Sequence, residues 1–405
     1  MVIPMYRLIQ LEWIKFIESR KNRMILLIMI LYIIGIVFYN QYQYRHYFSN
    51  VEKSMTAERN KASSYLNIIQ LLKKNDANYK ENPDELLFLN TEIKKSLLLE
   101  YFFKDLNLED WKYVLQTENQ KFSNLIWGEE NKFIKGTILN ARGQNPLFMK
   151  SKIIQNQYLI DNNIVPYINP YEINGINFLL LLLNRHTPLI LIILAVLLSI
   201  DIFSGEMEEG TYKLYFTQPY SRKTIYWSKI FSILFFSIGI IAVLIILFFI
   251  IICVIFGFGE PTYPQVIATS QVLLSFRNNI NLLGNFQVVS SIKFIALGYV
   301  LLFFISSMIL ISSIFLSIVF KSTTKSIGVF TYIILIAFVF NMYVEDKSLL
   351  RFYSIFSYVR IEEVIKGQIN TSYIIGITIT MFSSIFILKL GKGFLTKIDL
   401  VGGEK

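Results

Sequence analysis

Between Ile230 and Phe256 the chain runs for 27 residues without a charge, and 22 of them are Ile, Leu, Phe or Val. A second run, Phe294 to Phe320, is equally uncharged. Each such residue favours insertion by about 0.3–0.6 kcal/mol near a bilayer centre, whereas one arginine opposes it by roughly 3 kcal/mol. Both runs are therefore predicted to span a membrane. Four further apolar runs bring the predicted spans to six: 24–39, 188–203, 230–256, 294–320, 326–342 and 373–388. A helix needs about 20 residues to cross about 30 Å of hydrocarbon. The first, second and fifth are short and borrow flanking polar and aromatic residues. The pattern is that of an all-α integral membrane protein.

The placement of lysine and arginine in short loops orients such a chain. Arg7, Lys15, Arg20, Lys21 and Arg23 precede the first span; Lys213, Arg222, Lys223 and Lys229 follow the second. Lys321 and Lys325 lie in the loop 321–325, and Lys389, Lys392 and Lys397 in the tail 389–405. With six spans all of these fall on one side, so both termini are expected to be cytoplasmic. Tyr39, Tyr42, Tyr44 and Tyr47 then form an aromatic belt at the outer end of the first span. Some twenty residues precede that span and no small-residue cleavage site follows it, so it reads as a retained anchor and not a signal peptide.

The polar segment 40–187 falls outside and is large enough for a small domain. Helical spacing shows in Tyr65, Ile68, Ile69 and Leu72, and again in Leu86, Leu89, Ile93 and Leu97. Asn82-Pro83, Gly128, Gly143 to Pro146 and Asn169-Pro170 punctuate it. Trp111, Trp127 and many Leu, Phe and Tyr favour a folded, mainly α domain over a stalk, with strands an option around Lys132–Ile160. The loop 257–293 is also expected outside.

Ser306, Ser313 and Ser317 share one face of the fourth span, and Thr380 and Ser383 align with Gly376 on the sixth. Small hydroxylated residues let helices approach and bond across an interface. Two readings stand: a mildly polar translocation surface, or close packing alone. No Lys or Arg sits within a predicted span, which argues against an ion relay.

Composition agrees. Of 405 residues 54% are hydrophobic and 17% charged, with mean hydropathy +0.47, against about a quarter charged in a soluble domain. The net charge of +10 fits the anionic cytoplasmic face of a membrane, and no nucleic acid is expected. Two histidines and the single Cys253 exclude an intrachain disulfide and argue against a zinc or iron–sulfur site. No phosphate-binding G-x-x-x-x-G-K-[ST] loop occurs.

The loop 204–229 carries the most information. It reads as an acidic-started helix ending before Pro219, then a second helix capped by Ser221. Glu206, Glu208 and Glu209 suit the positive end of the first helix. Tyr212, Leu214, Tyr215 and Phe216 give the loop an apolar, aromatic surface fit for a protein partner. An interfacial turn solvated by headgroups is the competing reading.

The pattern Glu206, Gly210-Thr211, Leu214, Pro219, Ser221-Arg222, Ile225 and Lys229 resembles the signature of ABC transporter permeases of the second exporter type. The resemblance implies that Glu206, Glu208, Glu209, Gly210, Thr211, Leu214, Phe216, Pro219, Ser221, Arg222 and Lys229 form a coupling helix that docks into an ATP-binding subunit. Residues 1–23 are similar to that family's interfacial helix, with Met5, Leu8, Ile9, Trp13 and Phe16 as an apolar stripe, Arg7, Lys15 and Glu18 opposite, and Glu12 where a glutamate usually stands. Residues 343–372 resemble its short outer re-entrant helices. The long segment 40–187 places the chain with the subset that carries a large extracellular domain.

The resemblance implies a multi-pass plasma-membrane permease of bacterial type. It would be without catalytic residues or cofactor, pairing with a second permease chain and two subunits that bind ATP and Mg. An amphipathic or hydrophobic substrate would be exported, and peptide (as in antimicrobial-peptide resistance), lipid-linked molecule, drug and sodium all stay open. A non-transporting sensor whose outer domain binds a peptide or cell-wall partner is the alternative. An intramembrane enzyme lacks its paired Asp, Glu or His, and a secondary transporter lacks inverted repeats.

Overall fold

The structure, a computed structural model, describes residues 5–75, 111–130, 146–167, 169–184, 186–212, 221–268, 286–344, 348–367, 369 and 371–397. Helix α1 (Met5–Glu18) breaks at Ser19 into α2 (Arg20–Asn75), a 56-residue helix. Its length follows from composition: Arg20 to Asn75 holds one glycine, Gly35, and no proline to interrupt it. The helix therefore runs well past the apolar stretch 24–39 into the polar segment. The periodic residues Tyr65 to Leu72 fall in its last turns, while Leu86 to Leu97 lie outside the described residues.

Two helices, α3 (Trp111–Glu130) and α4 (Pro146–Asp161), pack on each other in the polar segment. The strand option for Lys132–Ile160 does not hold over 146–160. Pro146 opens a helix, where its fixed φ is an asset, and the buried Met149, Asn156 and Leu159 recur at helical spacing. The strands come from elsewhere. β1 (Pro264–Ala268) and β2 (Phe286–Ser290) form an antiparallel pair with Val266 opposite Val288, and the Gln155 amide of α4 donates to the Pro264 carbonyl at 2.8 Å.

Next come α5 (Gly175–Leu183), α6 (Thr187–Ser199), the short α7 (Ser204–Glu208) and the 35-residue α8 (Arg222–Phe256). Then follow α9 (Ser291–Phe320), α10 (Thr323–Tyr343), α11 (Leu349–Tyr353), a 3-10 turn (Ile355–Val359), α12 (Ile361–Lys366) and α13 (Tyr373–Lys397). Among the described residues six helical stretches are long and apolar enough to cross a membrane: Arg20–Asn50, Thr187–Glu208, Arg222–Phe256, Ser291–Phe320, Thr323–Tyr343 and Tyr373–Leu395. The protein is a mostly helical, multi-pass membrane protein. On α2, α8, α10 and α13 the outward side chains are large and apolar, Phe235, Val254, Phe338 and Phe382 among them.

Helix α9 is central, packing on α5, α6, α8, α10, α12 and α13. Its residues Leu301, Ile305, Leu310 and Ile318 have no more than trace exposure. Between α10 and α13 the chain folds back through α11 and the 3-10 turn. Buried Arg351 donates from Nη1 to Asn341 Oδ1 at 2.8 Å and from Nη2 to the Asn341 and Val344 carbonyls at 3.0 and 2.5 Å. The guanidinium thus satisfies carbonyls that the end of α10 leaves open.

Tyr358, fully buried, is fixed by its hydroxyl donating to the Phe352 carbonyl at 2.8 Å, and its ring lies flat against Gly376 of α13. A Cβ at residue 376 would stand 2.5 Å from the ring, too close for a ring that cannot swing away. Gly376→Ala is therefore expected to destabilise the protein by about 1–3 kcal/mol through overpacking. Gly239→Ala, where a Cβ meets nothing within 4 Å, should be neutral or gain up to about 1 kcal/mol of helix propensity. Thermal melting in detergent reads both; equal effects would contradict the packing described.

Candidate functional site

One end of the bundle gathers α1, the linker from α6 into α7, and the first turns of α8. Helix α1 is amphipathic, but its buried face is not wholly apolar. Leu8 and Glu12 are buried and Phe16 half-buried, while Leu11, Trp13, Ile14 and Ile17 stay exposed. Trp13 and Phe16 reach Phe236 of α8, with ring centroids at 5.2 and 5.6 Å. Glu12 is carried inward between them.

There it meets Lys229 of α8, whose side chain is only 2% exposed. The ammonium lies 2.9 Å from Glu12 Oε1 and 2.7 Å from Glu206 Oε1. It also donates to the Ile202 carbonyl at 3.4 Å and sits 5.3 Å above the Phe203 ring. Lys15 of α1 closes the set from the solvent side at 2.9 Å from Glu206. Two ammoniums and two carboxylates balance, which is the condition under which buried charge is tolerated. A second bridge, Lys21 to Asp201 at 2.5 Å, ties the start of α2 to the same linker.

The remaining motif residues shape the turn that presents Glu206. Gly210 lies at φ +70° with open space around it, so glycine is needed there for conformation and not for room. Its N–H donates to the Met207 carbonyl at 3.3 Å, ending α7. The Thr211 hydroxyl donates to the Glu206 carbonyl at 3.4 Å. Beyond the undescribed stretch, Ser221 caps α8 by accepting from the Thr224 N–H at 3.1 Å, and Arg222 opens the helix. Leu214, Phe216 and Pro219 lie outside the described residues.

Helix α7 is also held from behind. Ser317 Oγ of α9 accepts from the Ser204 and Phe203 N–H groups at 2.8 and 3.3 Å. Glu208 Oε1 accepts from the Thr323 N–H and the Ser322 hydroxyl, each at 2.9 Å, capping α10. Hydrogen bonding from the Thr323 side chain first and the Ser322 hydroxyl next, with a smaller contribution from the Thr323 N–H, holds the Glu208 carboxyl below the usual range. The cap is therefore complete above the ordinary carboxylate pKa and is lost only as pH falls through the lowered folded value. Glu209 is exposed. The acidic trio thus divides: one charge inward, one to a neighbouring helix, one to solvent.

The hydroxylated residues assigned to a path sit elsewhere. Ser306, Ser313, Ser317 and Thr380 are buried within the chain, and Ser383 is half-buried. Ser306, Ser313 and Thr380 donate to the carbonyls of Leu302, Leu310 and Gly376 in their own helices. Within one chain this is the geometry of close helix packing. Sequence reasoning singled out Glu12, Glu206 and Lys229 separately. It did not pair them, nor did it give Lys21, Asp201 or Phe236 a partner, because those contacts depend on tertiary placement.

Removing one member of a buried charge set strands its partners. Lys229→Met is expected to cost about 3–5 kcal/mol in detergent melting, and adding Glu12→Gln to it should recover part of that loss. Lys15→Ala, with Lys15 half exposed, should cost less than about 1 kcal/mol. A Lys229→Met loss below that of Lys15→Ala would refute the cluster.

No curated protein and no solved structure matches the chain. A family model described as "ABC-2 family transporter protein" matches residues 8–388, a stretch that contains Glu12, the whole α7–α8 junction and most or all of every candidate span. The chain therefore belongs to the ABC-2 transporter family, as a membrane permease component of the kind that associates with ABC ATP-binding subunits.

Proposed function

We propose that this chain is the permease of an ATP-driven exporter, and that the α1–α7–α8 junction is where the ATP-binding subunits act on it. The observation that carries the reading is the buried set Glu12, Glu206 and Lys229. It joins a surface helix, the loop that ends in the Gly210 turn, and a spanning helix into one mechanical piece. A push on the exposed end of α7 reaches α8 through Lys229, α9 through Ser317 and α10 through Glu208. The lysines and arginines concentrated at this end support its being cytoplasmic, with both termini on that side. In this reading a second permease chain completes the transporter and two ATP-binding subunits power it. ATP and Mg bind those subunits, since no phosphate-binding loop stands in this sequence. The transported molecule is amphipathic or hydrophobic. The α2 extension, α3, α4 and the β1–β2 pair form the outer domain.

The test is a pull-down of the tagged chain from its native membranes, with partners identified by mass spectrometry. A soluble ATPase with a phosphate-binding loop is expected. Its recovery should fall at least about tenfold in Gly210→Val, where the side chain is disfavoured at positive φ by more than 1 kcal/mol. The Gly239→Ala control should retain it. Recovery of no such ATPase with the native chain would overturn the reading and promote the sensor alternative.

A further inference from the structure

Helices α5 and α6 together form one crossing with a gap in it. At 1.5 Å per residue their 9 and 13 residues rise about 14 and 20 Å, close to the about 30 Å of a bilayer core. Helix α5 is apolar apart from Asn177 in its first turn and begins level with the far end of α8. The Gly175 and Ile176 N–H groups donate to the Gly257 and Phe258 carbonyls, both at 3.0 Å. The neighbouring turns of α8 expose Ile246, Ile250 and Val254, as lipid-facing residues do. At the other end, Asp201 follows α6 and pairs with Lys21. The gap lies between these levels. Tyr32, whose hydroxyl lies beside the Thr187 side chain there, is twelve residues into α2, or about 18 Å from its start. That is near half depth.

Polar groups collect at this gap. The Asn184 N–H donates to the Leu181 carbonyl and the Thr187 N–H to the Asn184 carbonyl, each at 3.2 Å. The side chains are different. Asn184, Thr187 and Tyr32 are half-buried, and His186 is exposed and makes no capping bond to α6. His186 stands one residue before the apolar stretch Thr187–Glu208, and between Glu172 and Asp201 it is the one described Asp, Glu, Lys, Arg or His. Its neighbour Arg185 lies outside the described residues.

An exposed imidazole facing hydrocarbon costs several kcal/mol. Non-helical backbone at this depth is tolerated where it lies within protein or lines a water-filled cavity, and intramembrane ionisable groups face such cavities or a partner group. We propose that the α5–α6 gap, with Tyr32, Asn184, His186 and Thr187, lines the water-exposed translocation path and receives the polar group of an amphipathic substrate. This deepens the transport reading and rests on it.

Because Cys253 is the single cysteine, a Cys253→Ala background is free of thiols, and the test needs neither the substrate nor the ATPase. His186→Cys, Thr187→Cys and Val243→Cys (the last on the exposed face of α8) are compared in native membranes. They are treated with a charged, water-soluble methanethiosulfonate and with a membrane-soluble maleimide. The charged reagent should modify His186→Cys or Thr187→Cys at least about tenfold faster than Val243→Cys, as a water-lined depth requires. If the charged reagent modifies all three equally slowly while the maleimide reacts, the gap faces lipid and the proposal fails. If oxidant cross-links His186→Cys into a dimer without charged-reagent labelling, the gap is covered by a second copy and the proposal fails. Either failure leaves the ATPase pull-down unaffected, so the two readings are separable.

Discussion

A single buried ammonium constrains the end of this bundle. Lys229 is out of water, and its charge is met by carboxylates from two segments far from it in sequence, Glu12 and Glu206. Neither segment can leave without stranding the charge, so α1, α7 and α8 keep one relative geometry or move together. That requirement explains why a surface helix otherwise suited to lying on a membrane carries a glutamate on its buried face. It also explains why the turn after α7 is built so tightly. Gly210 and Thr211 fix the backbone that aims Glu206 inward while leaving Glu209 in solvent.

The rest of the bundle supplies something for that junction to move. Helix α9 runs through the middle, and its Ser317 hydroxyl receives the N–H groups at the start of α7. The small residues along α9 and α13 bring backbones close: Gly376 admits the Tyr358 ring, and Gly298 admits Leu183 of α5. Side chains packed this way cannot yield gradually, so under the proposed coupling a displacement at α7 would be carried as a shift of whole helices. The gap between α5 and α6 is where one such helix is already divided, at the depth where a polar group would need company.

Much of this was legible in the sequence, because the strongest signals are local. Apolar runs mark spans without reference to anything else: five of the six predicted runs fall wholly within helices of the structure, and the second, 188–203, runs four residues past the end of α6. The glycine at the end of α7 and the serine cap of α8 are equally local. What stayed hidden depended on contacts across the chain. The β1–β2 pair has too little apolar alternation to announce itself, and its register is set by packing on α4. The apolar stretch of α5 lies inside the expected outer segment 40–187, although Leu179–Leu183 also reads as the start of a helix continuing past Arg185 and His186 into the second span; the structure ends α5 at Leu183 and begins α6 at Thr187. Glu12, Glu206 and Lys229 each stood out, but only their burial together turns three motif letters into an interaction. Ser306 and Ser313 of α9 fit two readings from spacing alone; in the structure they donate to carbonyls of their own helix, whereas Ser317 bonds to α7.

The most direct measurement of the central claim is proximity at the junction in the assembled complex. A cysteine placed by Thr211→Cys in a Cys253→Ala chain, treated with a short bifunctional thiol–amine reagent in native membranes, should cross-link to an ATP-binding subunit, and adding ATP should change the yield. A chain that co-purifies with the ATPase yet gives no cross-link from residue 211, while a cysteine at the far end of the bundle does cross-link, would contradict the account.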